Sequence, residues 1–170
     1  MPYLKQTLVV LFAIFTLFFI CETPVQLHAN PSIRITKQDS KQIECLTRNM
    51  YHEAANQSYK GWLAVGFVTI NRTKSDVFPD TICEVVYQKD QFSWVKTKRH
   101  ITKFNETLYN EIKYVATHLY FNHEDMKDIT YGAMFFHAVY VRPNWRGLRM
   151  TARIGEHIFY RNPKLEMRTT

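Results

Sequence analysis

The chain has 170 residues, 46% of them hydrophobic, and its 22 basic and 15 acidic side chains give a formal charge of +7. This length predicts one domain, and the apolar content excludes a disordered chain. The chain has only five glycines and six prolines, which excludes collagen-like and low-complexity chains. The positive charge favours a polyanionic partner: nucleic acid, an anionic membrane surface or an acidic cell-wall polymer.

An uninterrupted apolar run follows Lys5 and covers residues 8–20 (LVVLFAIFTLFFI). It is shorter than the roughly 20 residues that a spanning helix needs, so it favours a secretory signal cleaved after Ala29. The alternative is an uncleaved signal-anchor that attaches the protein to the membrane through residues 8–20. Both alternatives export the rest of the chain, so we expect no nucleic acid partner.

The exported part begins with a polar lead-in over residues 30–42. A helical pattern starts at Lys41, where Ile43, Leu46, Met50 and Ala54 share one face. A second helix is predicted over 59–72, and because its centre is apolar all round we expect it to be the buried helix of the domain.

A break at 78–80 precedes a capping-box pattern at Thr81, which predicts a short helix ending at Tyr87. Residues 88–106 are basic and aromatic and predict a loop. The next amphipathic pattern predicts a helix with Leu108, Ile112, Val115, Ala116 and Leu119 on its apolar face. Short aromatic segments at 131–141 and 158–161 suit strands or irregular structure. The fold class is therefore α+β, predominantly α, with a small C-terminal β element.

Two cysteines lie outside the leader, Cys45 and Cys83. In an oxidising compartment such a pair usually forms a disulfide, which is the prediction here, and two buried free thiols are the alternative.

Glu53 is a carboxylate on the apolar face of the first helix, in line with Leu46 and Met50. Burial there would raise its pKa toward neutrality, and a protonated acid is what the cleavage of a glycosidic bond requires. The alternative is a glutamate at the rim of this face, paired with a lysine or arginine. The helix pattern alone favours that alternative.

The neighbouring His52 also suggests a zinc protease motif, H-E-x-x-H, but the position of the second histidine is Asn56. His137 and His157 have no spacing that links them to His52, so no metal site is predicted. Trp94 and Trp145 have polar or basic neighbours and suit either a groove that stacks on sugars or the core. The segment 134–136 (MFF) is predicted to be core.

Five segments, in this order, resemble the SleB-type cell wall hydrolases, which are the spore-cortex-lytic enzymes and their Gram-negative relatives. They are residues 51–54 (YHEA), 70–72 (INR), 78–87 (FPDTICEVVY), 91–93 (QFS) and 153–160 (RIGEHIFY). The resemblance implies a lysozyme-like catalytic domain over residues 43–161, with 162–170 as a C-terminal tail, and it places the catalytic acid at Glu53.

The resemblance also implies a substrate, the glycan strands of peptidoglycan, cut between N-acetylmuramic acid and N-acetylglucosamine. Many members have Arg-Gly-Glu after the catalytic motif where this chain has Ala55-Asn56-Gln57, so catalysis is assigned to Glu53 alone. An Asn-rich segment before the final strand is here 136–138 (FHA). The candidate substrate-binding residues are Gln91, Phe92, Ser93, Trp94, Tyr131, His137 and Trp145.

The resemblance and the single well-placed acid favour a lytic transglycosylase over a muramidase-type hydrolase. The available second carboxylates are Asp80, Glu84 and Asp90, and none has a compelling position. A non-catalytic murein-binding envelope adaptor is the alternative from another class. No cofactor is implied, and we expect a monomer in the periplasm of a Gram-negative bacterium; a phage lysin would have a similar N-terminus. The basic cluster in 96–103 is predicted to hold the domain against the acidic stem peptides of the wall.

Overall fold

A computed structural model describes residues 34–89, 91–92, 94–95 and 104–165. Residues from Ile35 onward form one compact unit. The predicted leader over residues 1–29 and the basic cluster in 96–103 lie outside the described residues. The described elements are α1 (Lys37–Ala54), α2 (Tyr59–Thr73), α3 (Ile82–Tyr87), α4 (Glu106–Asn122), β1 (Phe135–Ala138), β2 (Arg149–Ile154) and β3 (His157–Arg161). This arrangement confirms the predicted class, mostly helical with a small C-terminal sheet.

Helix α1 begins at Lys37, inside the polar lead-in and four residues before the predicted start. The reason is a capping box, in which the Asp39 amide donates to the Thr36 hydroxyl (3.1 Å) and the Asp39 carboxylate accepts from the Thr36 amide (2.9 Å). The hydrogen bonds from Thr36 lower the pKa of Asp39. Thr81 caps α3 where the sequence predicts it, and Asn105, inside the predicted loop, caps α4.

Helix α2 is the buried helix, as predicted, and it packs against both α1 and α4. Gly66 permits this close packing. A Cβ atom there would lie 2.5 Å from Leu119 Cδ2 and 3.2 Å from Met50 Sδ, which is too close for the side chains in place.

The three strands form an antiparallel sheet in the order β1-β3-β2. Phe159 of β3 is fully buried and packs with Ala133 against Ala64 and Val68 of α2. These four residues form an apolar cluster that joins the sheet to the helices. Strand β2 was not predicted, and an irregularity in its pairing with β3, between Met150 and Ala152, interrupts the alternation that marks a strand in a sequence.

A disulfide joins Cys45 of α1 to Cys83 of α3, with 5.2 Å between the Cα atoms, and confirms the predicted pairing. Beside it, the backbone amide of Cys83 donates to the side-chain oxygen of Gln42 (3.0 Å). The disulfide therefore cross-links α1, which carries Glu53 near its end, to α3, which leads into the segment 91–92.

The described helices include none that is both long and apolar enough to cross a membrane.

Candidate active site

A cleft of about 400 Å³ opens between the helices and the sheet. Each wall is supplied by a different element: the end of α1, the end of α2, the segment after α3, strand β1 and the β1–β2 loop. The lining residues are Glu53, Arg72, Gln91, Phe92, Phe135, Phe136 and Trp145.

Glu53 is half-buried on the last turn of α1, next to the fully buried Ala54 and one turn after the fully buried Met50. It therefore lies at the rim of the apolar face and faces the cleft. It interacts electrostatically with Arg72. The rim position and the cationic partner match the alternative that the helix pattern favoured, and the cleft gives that carboxylate access to a ligand.

Arg72 is an arginine with only 4% of its surface exposed, held at the end of the buried helix. Its Nε donates to the carbonyl of Met134 (2.8 Å), and its guanidinium lies 5.1 Å from the ring centres of both Phe78 and Phe92. Burial lowers the pKa of Arg72 to about 10, and the charge of Glu53 opposes that shift. The attraction is mutual, so Arg72 favours the ionised form of Glu53.

The residue before it, Asn71, fixes the chain that leads into β1. Its side-chain amide donates to the Asp128 carboxylate (2.9 Å) and to the Ala133 carbonyl (3.0 Å). Asp128 in turn accepts from the backbone amides of Thr130 and Gly132, both at 2.7 Å. The end of α2 thus sets the position of the sheet wall relative to Glu53.

Three of the predicted binding residues, Gln91, Phe92 and Trp145, line the cleft with Glu53. Ser93 lies outside the described residues. The structure places Trp94 in the core, 8% exposed, where its ring stacks on His52 with 4.1 Å between ring centres and its indole N–H donates to Asn49 (3.3 Å). Polar sequence neighbours therefore do not make Trp94 a surface residue.

The other two predicted residues lie elsewhere. His137 lines a second pocket, which shares Trp145 with the cleft. Tyr131 is 59% exposed with a φ of 55°, and it is not among the residues that line either pocket.

Sequence reasoning missed Arg72, Phe135 and Phe136 as parts of the cleft. The two phenylalanines were predicted to be core, and both are half-buried, with one side in the cleft. Arg72 had a signal of the same kind as Glu53, since it is a charge at the end of a helix that is apolar all round.

Glu53 is the one carboxylate among the described residues that line the cleft. Asp80 lines a different pocket, Glu84 accepts a hydrogen bond from the Thr81 hydroxyl (2.7 Å), and Asp90 lies outside the described residues. Within the described ranges, no three His, Cys, Asp or Glu side chains are placed to hold a metal ion.

The residues that depart from the family pattern have a structural role. The Gln57 side chain accepts from the Glu156 amide (3.0 Å) and donates to the Glu156 carboxylate (3.2 Å), which fixes the β2–β3 turn to the α1–α2 connection. Gly155 in this turn has a φ of +56°, and a Cβ atom there would collide with Gln57. Gln57 therefore stabilises the position of the β2–β3 turn and does not supply a second acid.

Comparison with known proteins agrees with this architecture. A curated spore cortex-lytic enzyme from Oceanobacillus iheyensis is 33% identical over 66 residues, which are 38% of this chain and 24% of that protein. The chain thus spans about a quarter of that relative's length.

Two crystal structures share the fold. The catalytic domain of the Bacillus cereus SleB protein matches with a TM-score of 0.56 and 23% identity, covering 72% of this chain and 91% of that domain. The catalytic domain of a germination-specific lytic transglycosylase, SleB from Bacillus anthracis, matches with a TM-score of 0.55 and 24% identity, covering 71% and 93%. The predicted lysozyme-like fold is confirmed.

The cell wall hydrolase family model matches residues 56–160, which is more than half of the chain. The match begins three residues after Glu53, so the role of Glu53 depends on the geometry of the cleft. Over the matched residues the assignment is direct: the chain belongs to the cell wall hydrolase family.

Proposed function

We propose that this protein cleaves peptidoglycan glycan strands between N-acetylmuramic acid and N-acetylglucosamine, with Glu53 as the general acid and a 1,6-anhydro sugar as the product. The observation that carries the proposal is a half-buried carboxylate at the rim of an apolar helix face, facing a cleft with a buried arginine. The relatives support it, since one is named a spore cortex-lytic enzyme and another a lytic transglycosylase.

The chemistry needs one carboxyl group in two protonation states. Protonated Glu53 gives its proton to the glycosidic oxygen as the bond from that oxygen to C1 of the muramic residue breaks. The C6 hydroxyl of the same residue attacks C1 and passes its proton to the Glu53 carboxylate, which restores the acid. Arg72 favours the ionised form that accepts this proton.

The cleft suits a sugar polymer. Aromatic rings of Phe135, Phe136 and Trp145 offer flat surfaces for sugar faces, and the Gln91 amide can bond hydroxyls. One terminal nitrogen of Arg72 is buried and makes no hydrogen bond with the described residues.

The decisive experiment is a zymogram on purified peptidoglycan with wild type, Glu53→Gln and a matched control, Glu44→Gln. Glu44 lies on the same helix but pairs with Lys113 at the surface, 3.4 Å away. We expect clearing by wild type and control and none by Glu53→Gln. Equal clearing by all three would reject Glu53 as the acid, and murein binding without clearing by any of them would support the adaptor alternative.

Mass spectrometry of the products separates the two outcomes of cleavage. Anhydro ends support transglycosylation, and reducing ends support hydrolysis through an activated water or a second carboxylate. Asp90→Asn is the companion variant. It should leave the yield of anhydro product unchanged if Glu53 acts alone.

We further propose that the protein is exported to the periplasm of a Gram-negative bacterium and acts as a monomer. Membership in a cell wall hydrolase family supports an extracytoplasmic site of action. N-terminal sequencing of the protein from membrane and soluble fractions would separate cleavage after Ala29 from anchoring through residues 8–20.

A further inference from the structure

A second pocket of about 360 Å³ lies beside the cleft. Strands β1 and β3 form its floor with His137, Ile158 and Tyr160, and the β1–β2 loop covers it with Arg142 and Trp145. Trp145 also lines the cleft, so the two cavities are neighbours across one side chain. A group that projects sideways from a polymer in the cleft can therefore reach this pocket.

The floor of the pocket is held rigidly. The His137 ring stacks on Tyr160, with 5.3 Å between ring centres and 22° between planes, and Trp145 meets both rings edge-on. His137 Nδ1 lies 2.8 Å from the Ala138 carbonyl and Nε2 lies 3.0 Å from the Tyr160 hydroxyl. Because a carbonyl only accepts, Nδ1 carries a hydrogen and donates it to the Ala138 carbonyl.

The segment 139–165, which supplies all the lining residues except His137, is strongly cationic, and Arg142 is its charged residue in the pocket. Residues 139–165 contain six basic side chains and one acid, Glu156, which is held by Gln57. Within the described part of the chain, no carboxylate forms an ion pair with Arg142. The basic residues are Arg142, Arg146, Arg149, Arg153, Arg161 and Lys164.

We propose that this pocket binds the peptide stem of the muramic residue in the cleft, with Arg142 pairing a stem carboxylate and Trp145 separating sugar from peptide. The inference rests on the proposed function for the presence of a glycan in the cleft. A stem leaves the muramic ring to one side of the strand and is acidic, which matches both the lateral position of the pocket and its charge.

The test compares stem-bearing glycan chains with the same chains after an amidase has removed the stems. Arg142→Gln should lower kcat/KM about tenfold on stem-bearing chains and leave cleavage of bare chains unchanged. Arg146→Gln is the matched control, since Arg146 is exposed on the same loop and does not line the pocket. An equal loss on both substrates, or a loss on neither, would overturn the proposal.

Two further measurements distinguish a failure of this proposal from a failure of the proposed function, and a stem-peptide site from a lipid site. Calorimetric titration of the released stem peptide into Glu53→Gln, with and without Arg142→Gln, tests the pocket even if no chain is cleaved. Binding that is lost with Arg142→Gln supports the proposal, and binding that is absent or unchanged refutes it. Co-sedimentation with phosphatidylglycerol vesicles tests an anionic headgroup; if Arg142→Gln abolishes that binding and spares stem-peptide binding, the pocket is a lipid site instead.

Discussion

Replacing Arg72 by methionine removes a buried cation from the cleft wall and keeps an unbranched side chain of similar reach. Burial lowers the pKa of Arg72 to about 10 even against the attraction of Glu53, which corresponds to a net cost of about 3 kcal/mol for the buried charge. The hydrogen bond to the Met134 carbonyl returns roughly 1.5–3 kcal/mol, and the rings of Phe78, Phe92 and Phe135 about 0.5–1 kcal/mol each. These favourable energies total roughly 3–6 kcal/mol and match or exceed the cost of the buried charge, so Arg72→Met should lower the free energy of unfolding by at most about 3 kcal/mol.

Activity should respond much more than stability. Arg72 favours the ionised form of Glu53, and the proposed acid must be protonated at the first step. Removing the cation should therefore move the alkaline limb of the pH profile to higher pH. The rate at the optimum should fall about tenfold, because Glu53 loses the charge that orients it.

The assay is the initial rate of soluble muropeptide release from purified peptidoglycan between pH 4 and pH 9. Thermal unfolding of each variant confirms that it is folded. Arg72→Lys keeps the charge and should leave the alkaline limb near its wild-type position. A folded Arg72→Met protein with an unchanged limb would refute the electrostatic coupling between the two side chains.

Three predictions concern the frame around the site. The double variant Cys45→Ala/Cys83→Ala should lose about 3–4 kcal/mol in denaturant unfolding, because the bond closes a loop of 38 residues; a loss below about 1 kcal/mol would contradict this. Burial lowers the pKa of His157, so the unfolded chain takes up a proton first as pH falls through about 6.5, and wild type should lose stability between pH 7 and pH 5. His157→Phe should reduce that loss. If the free energy of unfolding depends on pH equally in wild type and variant, the buried His157 is not the cause of the loss. Gly155→Ala should cost about 1–3 kcal/mol because of its positive φ and the collision with Gln57, and Gln57→Ala in the same chain should recover part of it.

The helices could be predicted because their signals are local. Apolar periodicity marks α2 and α4, and the hydroxyl cap of Thr81 marks α3, within a few residues of their observed ends. The start of α1 was placed too late because its capping box uses an aspartate, Asp39, in place of the usual glutamate. Strand β2 gave no periodic signal because its pairing is irregular near Thr151.

Part of the site could be predicted, namely Glu53 and the lining residues Gln91, Phe92 and Trp145. Glu53 stands out because it interrupts an apolar stripe, but that pattern alone favours a rim glutamate, and the resemblance to the family supplies the catalytic assignment. Arg72 was overlooked because a basic residue in the last turn of a helix has an ordinary explanation in the helix dipole. Arg72 is buried, and it lies over rings from distant parts of the chain. Both features depend on tertiary packing, which no spacing along the sequence reveals.

The contacts of Asn71 have a consequence for chimeric proteins. One amide binds the segment 128–133 to the last turn of α2, and the next residue binds Met134. The sheet is therefore not an exchangeable module that ends at the loop before β1. Its true boundary includes Asn71 and Arg72 on another helix, so a sheet grafted from a relative should dock correctly only when these two residues are transferred with it.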